Sequence, residues 1–298
     1  MLGQREVASH LGYLLRRTSI KAAQLSLGRE AIDDASGAPG GAVQGGALGG
    51  LLRDLAVLLA LAGFGPDSQQ GVASRLRINR SVMVKIVDAL EARGEVVRAR
   101  HASDRRSYSL ELTDLGRARS AELLSYARAL SDELTAPLKK AERKRLIELL
   151  ARLVDSRSGE PLPAELLLLP AYLVTSAQEL MEDFVDTRLA HLRLTVRLYV
   201  AIAIAAGQDC SQGDLSAGMM VGPAATVDLV DQAEALGALR RVRDASDRRS
   251  YRLELTAAGR ELHARAARVV GAATVEFTCA LSGSENDELV GLLTRISA

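Results

Sequence analysis

The sequence is poor in aromatic residues. Only 3% of its 298 residues are aromatic, and none is Trp. Hydrophobic residues still make up 48% of the chain, which is enough to bury a core in each of roughly two domains. Because those cores must be built mainly from Leu, Val, Ile and Ala, helix packing is favoured over a sheet sandwich. We therefore expect a mainly α-helical protein.

The residues that build metal, disulfide and catalytic sites are also scarce. The two cysteines, Cys210 and Cys279, do not form a CxxC pair, which argues against a disulfide framework or a zinc site. The four histidines lack metal-ligand spacing, and no nucleophile and base stand out together. We expect no cofactor, no metal and no enzymatic activity, and leave open whether either cysteine is redox-active.

Neither a secretion signal nor a membrane span is visible. The longest apolar stretch, residues 162–174, contains Pro163 and Pro170 and falls short of the roughly 20 residues that a spanning helix needs. These absences predict a cytoplasmic protein with no membrane partner. A net charge of +1 does not by itself indicate nucleic-acid binding, so charge has to be compared segment by segment.

An internal repeat with an offset of 143 residues organises the chain. Residues 101–117 read HASDRRSYSLELTDLGR and residues 244–260 read DASDRRSYRLELTAAGR, with 13 of 17 positions identical and no gap. The same register aligns apolar positions on both sides of this stretch. We therefore divide the chain into a first repeat at 1–155, a linker at 156–164 and a second repeat at 165–298.

The order of predicted elements is that of a winged helix-turn-helix. Helices are predicted at 68–76 and 80–93, the second capped by Asn79 and ended by Gly94. Two strands around a polar tip follow, and Gly-rich residues 37–50 predict a loop. The strands are predicted at 96–100 and 108–113, and longer helices at 6–29, 51–62, 114–135, 139–154 and 176–193.

In a helix-turn-helix the second helix enters the major groove, with its apolar face packed on the body. The packed face is predicted to comprise Met83, Ile86, Val87 and Leu90. The residues expected to contact DNA are Arg80, Ser81, Val84, Lys85, Arg105 and Arg106, and in the second repeat Thr226, Arg248 and Arg249. Asp104 and Asp247 are acidic, so we expect each to support its wing arginines by charge-assisted hydrogen bonds.

This pattern resembles the signature of the MarR family of bacterial transcription regulators, in which D-x-R is followed by L-x-L-T and GR. The matching residues are Asp104, Arg106, Leu110, Leu112, Thr113, Gly116 and Arg117, and then Asp247, Arg249, Leu253, Leu255, Thr256, Gly259 and Arg260. The resemblance implies homodimers with interlocked terminal helices, which bind pseudo-palindromic double-stranded DNA operators.

Here the resemblance implies a tandem winged helix-turn-helix with small β-hairpin wings, folded as an intramolecular pseudo-dimer. It further implies a sequence-specific transcription regulator, with repression favoured over activation. Release by a small aromatic or lipophilic effector is expected as well. Whether two chains pair further is left open.

The two repeats differ in charge. Residues 75–106 hold nine basic and four acidic residues, a net charge of +5, whereas residues 218–249 hold five of each. In the predicted groove helix Lys85 corresponds to Asp228, which would repel phosphate. We therefore expect asymmetric binding, with the second repeat anchored by its wing.

Two alternatives stay open for the second repeat. Its helix could contact thymine methyl groups through Ala224 and Ala225. The chain could instead be a ligand-sensing or protein-interaction regulator whose second half no longer contacts DNA.

Overall fold

A computed structural model describes residues 4–33, 46–100, 108–158, 160–207, 210–243 and 251–298. This part of the chain is mostly helical and carries two small antiparallel sheets, which confirms the predicted fold class of helices with β-hairpin wings. The elements up to residue 158 are α1 (Gln4–Asp33), α2 (Gly46–Phe64), β1 (Asp67–Ser68), α3 (Gln69–Leu76), α4 (Arg80–Ala92), β2 (Val96–Arg100), β3 (Tyr108–Leu112), α5 (Asp114–Leu134) and α6 (Lys140–Ser158).

The elements that follow take up the same order after a single 3₁₀ turn at Leu166–Leu168. They are α7 (Pro170–Leu189), a second 3₁₀ turn (Ala190–Leu192), α8 (Val196–Gly207), β4 (Cys210–Ser211), α9 (Gln212–Met219), α10 (Pro223–Ala235), β5 (Leu239–Arg243), β6 (Tyr251–Leu255), α11 (Ala257–Phe277) and α12 (Gly283–Ser297).

Each sheet is a hairpin with one short strand added to its edge. The strand orders are β1-β3-β2 and β4-β6-β5. In the first sheet Val96 pairs with Leu112, and Arg100 pairs with Tyr108 at the base of the wing. The two-residue edge strands β1 and β4 were not predicted, because two residues are too few to show the alternation of a strand.

Three element boundaries differ from the sequence prediction. The predicted loop at 37–50 is wrong from residue 46 onward, because α2 begins at Gly46. Burial of Leu48 and Leu52, each 2% exposed, offsets the low helix propensity of the glycines. At the other end of the repeat, α6 extends to Ser158 into the predicted linker, and α7 starts earlier than expected, at Pro170, since proline is well tolerated at the first helical position.

The chain divides into two compact units that cut across the sequence repeat. The larger comprises residues 10–180 and 278–298, and the smaller comprises residues 181–277 with the first nine residues. The larger unit therefore contains α12, from the end of the chain, together with the first winged helix. The predicted boundaries around the linker remain a prediction from the repeat.

Within the larger compact unit, α12 packs along α6. Both helices bury aliphatic side chains, namely Leu146, Leu149, Leu150 and Leu153 on α6 and Leu289, Leu292, Leu293 and Ile296 on α12. Ion pairs join the same two helices. Arg152 Nη1 lies 2.5 Å from Glu285 Oε1, and Arg295 Nη1 lies 3.0 Å from Glu142 Oε1.

Each of these glutamates also accepts a hydrogen bond at the start of its own helix. The backbone N–H of Ser282 donates to Glu285 over 2.9 Å, and that of Lys139 donates to Glu142 over 2.8 Å. The Arg152 hydrogen bond and the Ser282 N–H lower the pKa of Glu285 to about 2. The Lys139 N–H and the Arg295 hydrogen bond likewise lower the pKa of Glu142.

These shifts predict that the α6–α12 contact weakens in acid. A carboxylate whose pKa is depressed on folding stabilises the fold above its unfolded pKa of about 4.3, and this contribution disappears as the pH falls through the folded pKa. We expect Glu285→Gln to lower the urea midpoint at pH 6, and the difference from the wild-type protein to shrink between pH 4.5 and pH 2.5. Glu122→Gln, which removes an exposed carboxylate on α5, is the control. A difference that stays constant over this range would contradict the assignment.

Candidate nucleic-acid interface

The turn between α3 and α4 sets the position of α4. Arg77 ends α3 in the left-handed conformation, with φ of 51°. Asn79 then caps α4, and its Oδ1 accepts a hydrogen bond from the Val82 N–H over 2.9 Å. This confirms the predicted cap. The corresponding cap of α10 is Gly222, which makes no side-chain hydrogen bond, and Pro223 opens that helix.

The buried and exposed faces of α4 agree with the sequence prediction. The buried side chains are Met83, Ile86, Val87 and Leu90. The exposed ones are Arg80, Ser81, Val84 and Lys85. Val84 is 39% exposed, and the Ser81 hydroxyl donates to Asn79 Oδ1 over 2.9 Å. The structure thus presents a polar, cationic face of α4 away from the core.

The prediction that Thr226 contacts DNA is wrong. Thr226 is 2% exposed, and its hydroxyl donates to the carbonyl oxygen of Gly222 one turn earlier in α10. It occupies the repeat position of Met83, which was itself predicted to be buried, so the register of the repeat contained the signal. The exposed residues near the start of α10 are Pro223, Ala224, Ala225, Val227 and Asp228.

Several arginines near α4 are held by internal ion pairs. Arg98 on β2 lies 2.6 Å from Asp88 and also pairs with Glu91, so it ties the hairpin to α4. The second repeat forms the same arrangement from Arg241, Asp231 and Glu234.

Two further arginines of the first repeat pair with acidic groups outside α4. Arg93 lies 2.7 Å from Asp54, and Arg75 lies 3.2 Å from Glu160. The net charge of +5 therefore overstates the number of cations available to a ligand.

Other cations lie on α4, in the turn before it and at the end of β2. Within the described ranges, Arg77, Arg80, Lys85 and Arg100 have no acidic partner. Arg77 and Arg100 were not among the predicted site residues, although both are exposed and lie beside the predicted turn and wing. In the second repeat, Arg243 at the base of the hairpin is likewise exposed and without a partner in the described part of the chain.

The predicted wing-tip residues lie outside the described part of the chain. They are Asp104, Arg105, Arg106, Asp247, Arg248 and Arg249. The roles assigned to them remain predictions. The structure describes the base of each wing. The paired strands end at Arg100 and Tyr108 in the first wing, and at Arg243 and Tyr251 in the second.

A threonine and a glycine join the hairpin to the end of α4, an arrangement that we call the Thr–Gly clasp. The Thr113 hydroxyl donates to the Gly94 carbonyl over 2.8 Å and accepts from the Gly116 N–H over 2.9 Å. A Cβ on Gly116 would lie 2.0 Å from the carbonyl oxygen of Glu95. Only glycine therefore allows α5 to start this close to the backbone that follows α4.

The clasp is repeated in the second repeat. The Thr256 hydroxyl donates to the Gly237 carbonyl over 2.6 Å, and a Cβ on Gly259 would lie 2.0 Å from the Ala238 carbonyl oxygen. Thr113 also caps α5. The T and G positions of the signature are thus structural, and they hold the hairpin and α4 in one arrangement.

Other candidate sites receive little from the structure. Burial raises the pKa of the Cys210 thiol, while Cys279 is exposed. No cluster of His, Cys, Asp and Glu suited to a metal ion occurs among the described residues. No single helix there is long and apolar enough to cross a bilayer; only the bent pair Pro170–Leu192 and Val196–Ala206 passes jointly on length and composition.

Comparison with known proteins identifies relatives of the segment that contains this site. The sequence model of the MarR family matches residues 51–107. A candidate transcriptional regulatory protein for the hcr operon of Thauera aromatica is 36% identical over 94 residues, or 32% of this chain and 57% of that protein. The HTH-type transcriptional repressor NicR of Pseudomonas putida is 31% identical over 99 residues, or 33% and 63% of the two chains.

The matched region thus spans about three fifths of the length of these two curated relatives. Among solved structures, a MarR-family transcriptional regulator from Rhodococcus sp. RHA1 is 26% identical. That comparison covers 42% of this chain and 90% of the Rhodococcus chain, with a TM-score of 0.40.

The Thr–Gly clasp yields a stability prediction. We expect Gly116→Ala to lower the free energy of unfolding by about 1–3 kcal/mol, because the added methyl group overlaps a backbone carbonyl that has to move. Gly291→Ala is the matched control: Gly291 is exposed within α12, and its Cβ would meet nothing within 4 Å. There we expect stabilisation of up to about 1 kcal/mol from helix propensity. Equal effects of the two substitutions in urea unfolding would refute the steric role of Gly116.

Proposed function

We propose that the chain is a sequence-specific regulator of the MarR type that binds double-stranded DNA, on the premise that its residues 51–107 match the sequence model of that family. One observation carries the proposal. The exposed face of α4 has Arg80 and Lys85 without acidic partners in the described chain, although nearby arginines are paired.

Cations that no internal carboxylate neutralises are available to phosphate oxygens and base edges. Arginine can form a bidentate contact with guanine in the major groove, and lysine can contact phosphates or bases. Arg77 lies in the turn before α4, and Arg100 lies at the base of the wing. We assign base contacts to Arg80 and Lys85, with Ser81 and Val84 beside them, and backbone contacts to Arg77, Arg100 and the wing residues Arg105 and Arg106.

We further propose that the two repeats bind DNA unequally. The exposed start of α10 carries no basic residue, and its Asp228 accepts a hydrogen bond from Gln232 over 2.9 Å. Arg240 pairs with Glu254 over 2.7 Å. Close to α10, Arg243 at the wing base is exposed and has no acidic partner in the described chain, and Arg248 and Arg249 are predicted for the tip. The second repeat therefore anchors the complex on phosphates, while the first repeat reads the sequence.

The proposal includes a pseudo-dimer of the two repeats. Support comes from two ion pairs between α6 and α12. Glu285 and Arg295 lie 143 residues after Glu142 and Arg152, so the Arg152–Glu285 and Arg295–Glu142 pairs are reciprocal. Reciprocal contacts of this kind are expected when equivalent surfaces meet around a two-fold axis.

Repression is the regulatory outcome that we favour, since the Pseudomonas putida relative is named as a repressor. Release by a small aromatic or lipophilic effector remains a prediction from the family resemblance.

DNA binding at different salt concentrations tests the division of roles. We expect Arg80→Ala to weaken binding to the selected site by about 1–3 kcal/mol if its base contact is lost. Arg100→Ala, which removes a proposed backbone contact, should flatten the slope of log affinity against log salt by about 0.9 for each phosphate contact removed. Asp228→Ala should leave affinity unchanged or increase it. Lys144→Ala, which removes an 81% exposed cation from α6, controls for the loss of charge alone.

Selection of bound sequences from random DNA separates the asymmetric model from its alternatives. One strong and one weak half-site are expected. A symmetric palindrome would contradict unequal reading and would favour thymine-methyl contacts by Ala224 and Ala225. A single half-site whose binding is insensitive to Arg243→Ala would favour a second repeat that no longer contacts DNA. If neither Arg80→Ala nor Lys85→Ala changes affinity or salt slope, α4 does not bind DNA.

A further inference from the structure

The contact between α6 and α12 contains a third ion pair of a different kind. Arg145 Nε lies 2.9 Å from Glu288 Oε2, and Arg145 Nη2 lies 3.2 Å from Glu285 Oε1. Arg145 and Glu288 are themselves 143 residues apart. They therefore hold the same position in the two repeats, and each faces its own counterpart.

A residue that faces its own counterpart lies on the axis that relates two equivalent surfaces. In a pair of identical helices this position would bring together two arginines or two glutamates. Like charges at such a distance repel, whereas Arg145 and Glu288 attract. Unlike the two outer ion pairs, the Arg145–Glu288 pair needs the two helices to differ.

The two outer ion pairs cannot distinguish one partner from another. Glu142 and Glu285 are the same residue type, as are Arg152 and Arg295. Two copies of α6, or two copies of α12, would form both outer pairs as well as the observed combination does. Only the Arg145–Glu288 position changes from attraction to repulsion when a helix meets its own copy.

We propose that the Arg145–Glu288 pair determines the partner of α6: it selects α12 of the same chain and disfavours α6 of a second copy. The partner of each repeat is then the other repeat, and the chain is a self-contained monomer. This inference rests on the proposed pairing of the repeats, and it does not depend on DNA binding.

Side-chain exposure is compatible with a selective pair. Arg145 is 33% exposed and Glu288 is 45% exposed, so both are screened only in part by solvent. Arg145 also lies near Glu148 and Glu285, whose carboxylates favour a cation at this position. An arginine at position 288 would face Arg145 across the contact and would restore the like-charge arrangement of a symmetric pair.

The first test is a double-mutant cycle in the full-length protein, measured by urea unfolding. Arg145→Gln and Glu288→Gln should each lower the urea midpoint, and their combination should lower it by less than the sum of the two shifts. Arg119→Gln and Glu122→Gln form the control cycle, because that 3.1 Å pair lies within α5, away from the contact between α6 and α12. Additive shifts at Arg145 and Glu288 would overturn the proposal.

The second test is the mass of the full-length protein by light scattering over a wide range of concentrations. We expect 31.7 kDa at every concentration for the wild type. Glu288→Arg should lower the urea midpoint and raise the average mass at high concentration, and adding Arg145→Glu should reverse both changes. A dimeric wild type, or a Glu288→Arg protein that matches the wild type in midpoint and mass, would overturn the proposal. If both tests give the expected results but the wild-type protein does not bind DNA, only the proposed function is contradicted.

Discussion

The close approach of α5 to the backbone after α4 is the constraint on which the winged helix depends. Gly116 has no Cβ, so the Glu95 carbonyl can lie against the start of α5, and the Thr113 hydroxyl links the same two segments. These contacts fix the angle between α4 and the hairpin, and Arg98 secures it from the other side by pairing with Asp88. A shift at the clasp would misplace the exposed face of α4 and the wing together, because both are built on it.

The same constraint explains which parts of the two repeats stayed alike. Thr256 and Gly259 make the same contacts as Thr113 and Gly116, and they lie in the stretch where the repeats are nearly identical. The exposed residues at the start of α4 and α10 take no part in the contacts of the clasp. Arg80 and Lys85 could therefore give way to Pro223 and Asp228 without loss of the fold. Packing therefore limits substitution at the Thr–Gly clasp, whereas the charge of the exposed helix start can change.

Features that depend on neighbouring residues were predictable from the sequence, whereas ion pairs with residues distant in the chain were not. Asn79 and the buried stripe of α4 were predictable, because capping and helical periodicity act over one or two turns. The free charge of the surface was not, since the partners of Arg75 and Arg93 come from other segments, at Glu160 and Asp54. Thr226 is a different, local error: its register with Met83 indicates the buried face, where its hydroxyl is satisfied on its own helix.

Covalent linkage of two copies removes the requirement that both be the same. In a homodimer every substitution appears twice, so a charge on the two-fold axis must meet itself and both groove helices must read the same half-site. In this chain Arg145 faces Glu288, and α10 carries Asp228 where α4 carries Lys85. Both differences are possible because the two repeats do not have to be identical. On the proposed pairing, repeats that select each other leave α4 and α10 free to diverge, because exchange with a second copy would otherwise combine two identical helices.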